Sequence, residues 1–244
     1  MIEVKALKKS FEDKDVLKGI DAVFETGKTN LIIGKSGAGK TVFLKSMIGL
    51  IIPTSGEILF DGRDIVGMGK SDLLMLRREM GMLFQGSALF DSMTVLENVM
   101  FPLEMFSDES QAKKRKRAYN YLERVGLEDA ASKYPSEISG GMMKRTAIAR
   151  AIALGPKYLF CDEPNSGLDP KTSLMIDELI HSITKEDNIT TVINTHDMNS
   201  VHNIGDKIIY LRDGVKDWEG SSETLEKDGT EELKKFVNAG IDRN

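Results

Sequence analysis

The segment Gly34-Lys35-Ser36-Gly37-Ala38-Gly39-Lys40-Thr41 limits what this 244-residue chain can fold into more than any other part of it. It fits the pattern G-x-x-x-x-G-K-[S/T] in full. A short apolar run, Thr29 to Ile33, precedes it, and a segment with helical spacing at Phe43, Leu44, Met47 and Ile48 follows. The pattern needs that context of strand, glycine-rich turn and helix. The glycines let backbone N–H groups turn inward around an anion, and the helix N-terminus adds a favourable dipole. Lys40 is then placed to reach the β- and γ-phosphates of a nucleotide, and the Thr41 hydroxyl to bind Mg²⁺. The nucleotide-binding segment is read as 34–41 with Val42 after it. A chance glycine-rich turn would not bring both flanking elements.

A second apolar run, Tyr158-Leu159-Phe160-Cys161, ends in Asp162-Glu163. It predicts a buried strand that delivers Asp162 to the magnesium shell. Glu163 follows at once, placed to orient or deprotonate an attacking water. Many strands end in a carboxylate, so the run gains its meaning from the glycine-rich loop upstream. Cys161 reads as a small buried hydrophobe with no chemistry. As the one cysteine of the chain it forms no internal disulfide, which fits a reducing compartment.

Composition narrows the classes further. With 41% hydrophobic and 29% charged residues, the chain can build an ordinary core. A formal net charge of -5 argues against a nucleic-acid binder, so no nucleic-acid partner is expected. The start, Met1-Ile2-Glu3-Val4-Lys5, lacks an apolar stretch of signal-peptide type. No run approaches the roughly 20 apolar residues of a spanning helix. A soluble protein is expected, reaching a membrane only through a partner.

Strands are expected at Ile2 to Leu7, through Val16 to Phe24, at Thr29 to Ile33, around Ile58 to Gly62 and at Met80 to Phe84. From Gln85 to about Ala153 the character is helical. Thr94-Val95-Leu96-Glu97 is a capping box, Glu109 to Val125 carries a second helix, and a third starts after Ser139-Gly140-Gly141. Strand runs return at Tyr158 to Cys161, Thr190 to Asn194 and Lys207 to Leu211, with a helix from Lys171 to Glu186 between the first two. That alternation is the grammar of a mostly parallel sheet. The tail shows one amphipathic helix marked by Leu225, Leu233, Phe236 and Val237.

Ser139-Gly140-Gly141-Met142, with Lys144-Arg145 and the helix Thr146 to Ala153, resembles the signature motif of the ABC ATPases. Two glycines at a helix start make an anion site, while a plain helix start capped by Ser139 has the same geometry. Further elements of the family occur in order. Gln85 resembles the Q-loop glutamine, Ser166-Gly167-Leu168-Asp169 the D-loop, and His196 the switch histidine. Phe11 resembles the aromatic that stacks on adenine, and a core phenylalanine is the competing reading.

The resemblance implies an α/β fold of the P-loop NTPase type with a mostly parallel core sheet and an N-terminal antiparallel β portion. The core is expected over 1–85 and 154–220, an inserted helical subdomain over 86–153 and a helical tail over 221–244. It implies ATP hydrolysis with Mg²⁺. Glu163, His196 and Gln85 would be catalytic, and Thr41, Gln85 and Asp162 would hold the metal. Phe11, the loop 34–42, Ser139, Gly140, Gly141, Met142 and Asp169 would bind nucleotide. In the family the signature motif faces the γ-phosphate held by another subunit, so a second copy of the chain is an expected partner. Integral permease subunits are another, placing the protein in the cytoplasm against the inner face of the cell membrane.

Within the family, the stretch Gly81 to Ser92, Thr94 to Val99 and Met142 are similar to the ATPase subunit of Mla/Mce-type lipid transporters. That similarity implies phospholipid as cargo and an Mce-domain protein as a further partner. Asn165, where Thr is common, and Val42, where Thr or Ser is common, depart from the pattern without touching the expected phosphate or metal ligands. An importer or cell-division ATPase with another cargo shares every catalytic residue. A soluble ABC ATPase acting on ribosomes or DNA would usually carry two ATPase domains or a coiled-coil insertion.

Weaker features have plain readings. Lys113 to Arg117 is a basic run that a helix spreads around its circumference. Met80, Met82, Met93, Met100, Met105, Met142 and Met143 read as core filling, or in part as a groove for a permease helix. His181 and His202 read as structural. The C-terminal helix is open between a solvated end and a dimer clasp.

Overall fold

The computed structural model describes residues 1–241, so the last three residues of the expected tail lie outside the described residues. The chain opens with an antiparallel hairpin, β1 (Ile2–Phe11) and β2 (Lys14–Phe24), followed by β3 (Thr29–Ile33) and α1 (Lys40–Met47). Next come β4 (Ser55–Phe60), β5 (Arg63–Asp64), α2 (Lys70–Arg77) and β6 (Met80–Leu83). Three helices follow: α3 (Val95–Phe106), α4 (Gln111–Arg124) and α5 (Gly140–Ile152). The remainder alternates: β7 (Tyr158–Asp162), α6 (Pro170–Glu186), β8 (Thr190–Asn194), α7 (Met198–Ile204), β9 (Lys207–Arg212) and β10 (Val215–Gly220). Two helices, α8 (Ser222–Asp228) and α9 (Glu231–Ile241), stand where the sequence showed one.

These strands make two sheets. One, ordered β2-β1-β4-β5, is antiparallel. The other, ordered β10-β9-β3-β8-β7-β6, is parallel except for β10 at its edge. The β9–β10 hairpin and α7 escaped the sequence reading. Lys216, Asp217 and Glu219 make β10 polar, as an edge strand allows, and α7 spans barely two turns.

Every residue of β3, β7 and β8 is buried, as in a sheet covered on both faces. The side chains divide between two cores with period 2. Leu31, Leu159, Cys161, Ile193, Ile208 and Tyr210 point to the helical side, into the core shared by α3 to α7. Ile32, Phe160, Val192, Ile209 and Leu211 point the other way, against α1 and the antiparallel sheet. Each fully buried aliphatic or aromatic side chain contributes roughly 1.5–3 kcal/mol.

The loop before α3 is locked locally. Thr94 and Glu97 form both halves of the capping box, and buried Asn98 holds the backbone of Phe90, Met93 and Thr94 through its amide. In α4 the basic run divides as its periodicity requires. Lys114 is buried and pairs with Glu104, Arg117 reaches Glu109, and Arg115 lies over Tyr119. Of the methionines, Met80 and Met82 pack on one core and Met100 and Met142 on the other, while Met105 is exposed.

Phe43 carries α1 into the core, with its ring 6.0 Å from that of Phe24. Phe43→Ala is expected to cost about 3–5 kcal/mol in urea unfolding followed by circular dichroism. Ile52→Ser, at an exposed position, should stay within about 0.5 kcal/mol. A Phe43→Ala loss below about 1 kcal/mol would show that α1 does not anchor the two sheets to each other.

Candidate active site

Because β3, β6, β7 and β8 run parallel, their C-terminal ends meet at one edge of the sheet, where open α/β sheets gather ligands. The glycine-rich loop leaves β3, Gln85 follows β6, Asp162-Glu163 ends β7, and Thr195-His196 follows β8. A cleft of about 1270 Å³ opens there, lined by most of the loop 34–42 together with Gln85, Glu163, Asn165, Ser166 and His196.

The loop holds its shape by close backbone approach. A Cβ added to Gly34, at φ +152°, would lie 2.3 Å from the Leu211 carbonyl oxygen. Gly39 starts α1 at φ +104° and offers no side-chain acceptor to the helix's first N–H groups, so those donors and the positive end of the dipole face the loop. The Lys40 ammonium donates to the Gly34 carbonyl at 2.7 Å. Burial lowers its pKa, while the charges of Glu163 and Asp162 oppose that shift. The lysine is therefore a partly desolvated cation beside the uncapped N-terminus of α1, an arrangement suited to a polyphosphate.

Opposite the loop, Asp162 is buried and accepts from the Asn194 amide at 3.1 Å. Glu163 adopts φ +51°, a strained value for a residue with a side chain. Its N–H donates to the Asn194 carbonyl at 3.0 Å, which helps hold that turn. The turn brings the Glu163 Oε2 within 2.7 Å of the His196 Nδ1. One carboxylate oxygen thus engages the imidazole and the other stays available. Thr41, Asp162 and Gln85 offer a hydroxyl, a single carboxylate and an amide oxygen. This hard-oxygen set suits Mg²⁺, which completes its shell with waters and substrate phosphates.

Gln85 donates its amide to the Ser166 Oγ at 3.2 Å. Its loop is tied from below by two cations of α5, a link the sequence reading missed. Lys144 donates to the Gln85 carbonyl, and Arg150 to the carbonyls of Ser87 and Ala88 at 2.8 and 2.7 Å. Ser87 and Ala88 both have positive φ, so the clamp fixes a strained segment. Burial lowers the pKa of Lys144 and of Arg150. Pairing of a cation with a loop carbonyl leaves no periodic trace in sequence, and only Lys144's buried place on α5 betrays it.

Other expected residues lie elsewhere. Ser139, Gly140, Gly141 and Met142 do not line this cleft. Ser139 caps α5, accepting from the Met142 N–H at 3.3 Å. Asp169 caps α6 through the N–H and hydroxyl of Thr172. Phe11 is 44% exposed with the Lys9 ammonium over its ring, so it is not a core phenylalanine. Burial in β7 pushes the Cys161 thiol up, in keeping with an inert packing role. His181 bonds Thr29 inside the fold.

Comparison with known proteins adds independent findings. The profile of the ABC transporter family matches residues 17–166. The chain is 43% identical over 217 residues to the methionine import ATP-binding protein MetN of Carboxydothermus hydrogenoformans, covering 88% of this chain and 64% of that one. It is 40% identical over 225 residues to the intermembrane phospholipid transport system ATP-binding protein MlaF of Haemophilus influenzae, covering 92% of this chain and 85% of that one. The dimeric structure of MJ0796, a bacterial ABC transporter cassette, superposes with a TM-score of 0.83 at 34% identity over 91% of this chain and 99% of that one. The same cassette is known as a dimeric post-hydrolysis state bound to ADP and Pi.

Gly34→Ala forces both a backbone shift and a conformation that side chains avoid. The expected cost is about 2 kcal/mol or more in urea unfolding, with loss of triphosphate binding measured by a fluorescent nucleotide. Wild-type stability and binding in this variant would show that the loop does not depend on that close approach.

Proposed function

This chain belongs to the ABC transporter family, and from that membership we propose that it is an ATP-binding and ATP-hydrolysing motor subunit, pairing around two Mg-ATP to drive a membrane permease. The observation that carries the reading is the Glu163–His196 pair, 2.7 Å apart, in the same cleft as Lys40 and the glycine-rich loop.

In the proposed cycle the amides of 34–41 and Lys40 hold the β- and γ-phosphates. Thr41, Asp162 and Gln85 would hold Mg²⁺, which would supply neutralising charge to the phosphates. Glu163 orients the attacking water and takes its proton on the carboxylate oxygen not engaged by His196. His196 steadies that carboxylate and faces the γ-phosphate, and Gln85 holds the water. Since Ser139 to Met142 stand away from this cleft, they are assigned to the nucleotide of a second copy. ATP then bridges the two subunits, and binding energy shared by both favours the closed pair.

The proposed site of work is a membrane. Among the described residues no helix is long and apolar enough to cross one, so a permease partner supplies the passage and holds the chain at the cytoplasmic face. Exposed Phe84, Phe90, Met105 and Phe106 flank the Gln85 loop and α3 in sequence and suit a contact with such a partner. Phospholipid is the proposed cargo and an Mce-domain protein a proposed further partner. The residues Gly81 to Ser92, Thr94 to Val99 and Met142, and the 40% identity to MlaF, support that choice. The 43% identity to a methionine import protein favours a second reading, a small-solute importer with the same catalytic residues.

Size-exclusion chromatography with light scattering tests the motor reading. With Mg-ATP, Glu163→Gln should form a lasting dimer and lose about 10²- to 10⁴-fold in hydrolysis rate. A variant that binds ATP, stays monomeric and keeps its rate would overturn it. Co-purification from membranes separates the cargoes: a permease with an Mce-domain protein supports lipid, and a permease with a solute-binding protein supports import.

A further inference from the structure

Asn165, Asp177 and Ser200 form a buried polar cluster that the proposed chemistry leaves unused. Asp177 lies on α6 and is only 1% exposed. Its Oδ1 accepts from the Asn165 amide at 2.8 Å and its Oδ2 from the Ser200 hydroxyl at 2.7 Å. Asn165 also donates to the Ser200 Oγ at 3.1 Å, which closes the triangle. No cation pairs with Asp177 among the described residues. An isolated buried carboxylate is an expensive thing to keep in a core, and a neutral side chain would pack there at lower cost.

What the carboxylate joins gives the reason. Asn165 lies two positions past Glu163 and directly precedes Ser166, the acceptor of the Gln85 amide. Ser200 sits in the first turn of α7, four positions past His196 and behind the Asp197 cap. The two acceptor oxygens of one rigid side chain on α6 therefore hold the segment after Glu163 and the helix after His196 at a fixed separation. Thr at position 165 would have too short a reach to replace an amide bonding both Asp177 and Ser200, so the departure of Asn165 from the common residue has a structural use.

We propose that Asp177 is a positioning residue for hydrolysis, holding Asn165 and Ser200 so that Glu163 and His196 keep the 2.7 Å pairing on which the reaction depends. The inference rests on the motor reading and goes beyond it by giving the pair an internal brace.

The brace has a pH signature. Desolvation raises the Asp177 pKa to about 6, with Asp197 and Glu178 pushing the same way and the Ser200 and Asn165 hydrogen bonds opposing. Cys161 on β7 also feels the charge of Asp177, and Lys40, Glu163, His196, Glu232 and Lys235 line the same cleft. Below that pH one carboxyl oxygen becomes an O–H donor, and either Asn165 or Ser200 loses its acceptor. Because the folded carboxyl binds its proton more tightly than an unfolded one, neutralising it does not destabilise the fold at pH 7.

The test compares wild type, Asp177→Asn, Ser200→Ala and Ser200→Thr as full-length chains, reading kcat and KM for Mg-ATP, the thermal midpoint and the pH profile. Asp177→Asn should lose about tenfold in kcat with KM changed less than about twofold and an unlowered thermal midpoint. The fall in wild-type kcat through about pH 6 should be absent from its profile. Ser200→Ala should lower kcat by about threefold and Ser200→Thr restore it. Asp177→Asn with wild-type kcat, or with the acid limb unchanged, overturns the proposal. If Asp177→Asn does not fold, the Ser200 pair decides alone: equal kcat in Ser200→Ala and Ser200→Thr overturns it. A wild-type chain that binds but never hydrolyses ATP would sink the motor reading itself, and the brace with it.

Discussion

Burial of three adjacent parallel strands on both faces is the constraint from which the rest of the structure follows. All positions of β3, β7 and β8 are inside, so their side chains are consumed by two cores and their backbones by the ladder. Polar chemistry can emerge only where the strands end. Parallel pairing puts those ends on one edge, and the register Asp162 opposite Asn194 sets the last residues of β7 and β8 side by side. The groups of the cleft are thus carried on short turns at the ends of fully buried strands.

Charge is arranged at that edge with little slack. Lys40 is desolvated against its own loop and feels Asp162 and Glu163 across the cleft. An incoming polyphosphate would compete for the lysine with two backbone carbonyls, those of Gly34 at 2.7 Å and Lys35 at 3.4 Å. Glu163 is held in a strained turn whose cost is offset by its N–H bond to the Asn194 carbonyl. The strain has a use, since it aims the carboxylate at His196 instead of letting the chain continue as a strand.

Two sets of buried polar contacts connect this edge to the rest. Lys144 and Arg150 on α5 grip the loop after Gln85 by its carbonyls. In the proposed motor, α5 also presents Ser139 to a second copy, so one rigid helix links the partner's nucleotide to the loop facing the permease. Asp177 ties the segment after Glu163 to α7 on the other side. The MJ0796 cassette, 34% identical to this chain, is known as a dimer in two states, one of them bound to ADP and Pi.

The sequence by itself determined the elements whose signals are local. The glycine spacing of 34–39 marks a phosphate loop because Gly34, Gly37 and Gly39 all adopt the positive φ that glycine allows. Short apolar runs mark the central strands, and Thr94 with Glu97 marks a helix start, because each is written within a few neighbouring residues. Short α7 and polar β10 lacked such a signal and were missed. The tertiary structure alone decided which residues meet. Glu163 and His196 lie 33 positions apart, Gln85 and Lys144 59, Asn165 and Ser200 35. Such contacts depend on strand order and helix packing, which bring together side chains whose spacing follows no period.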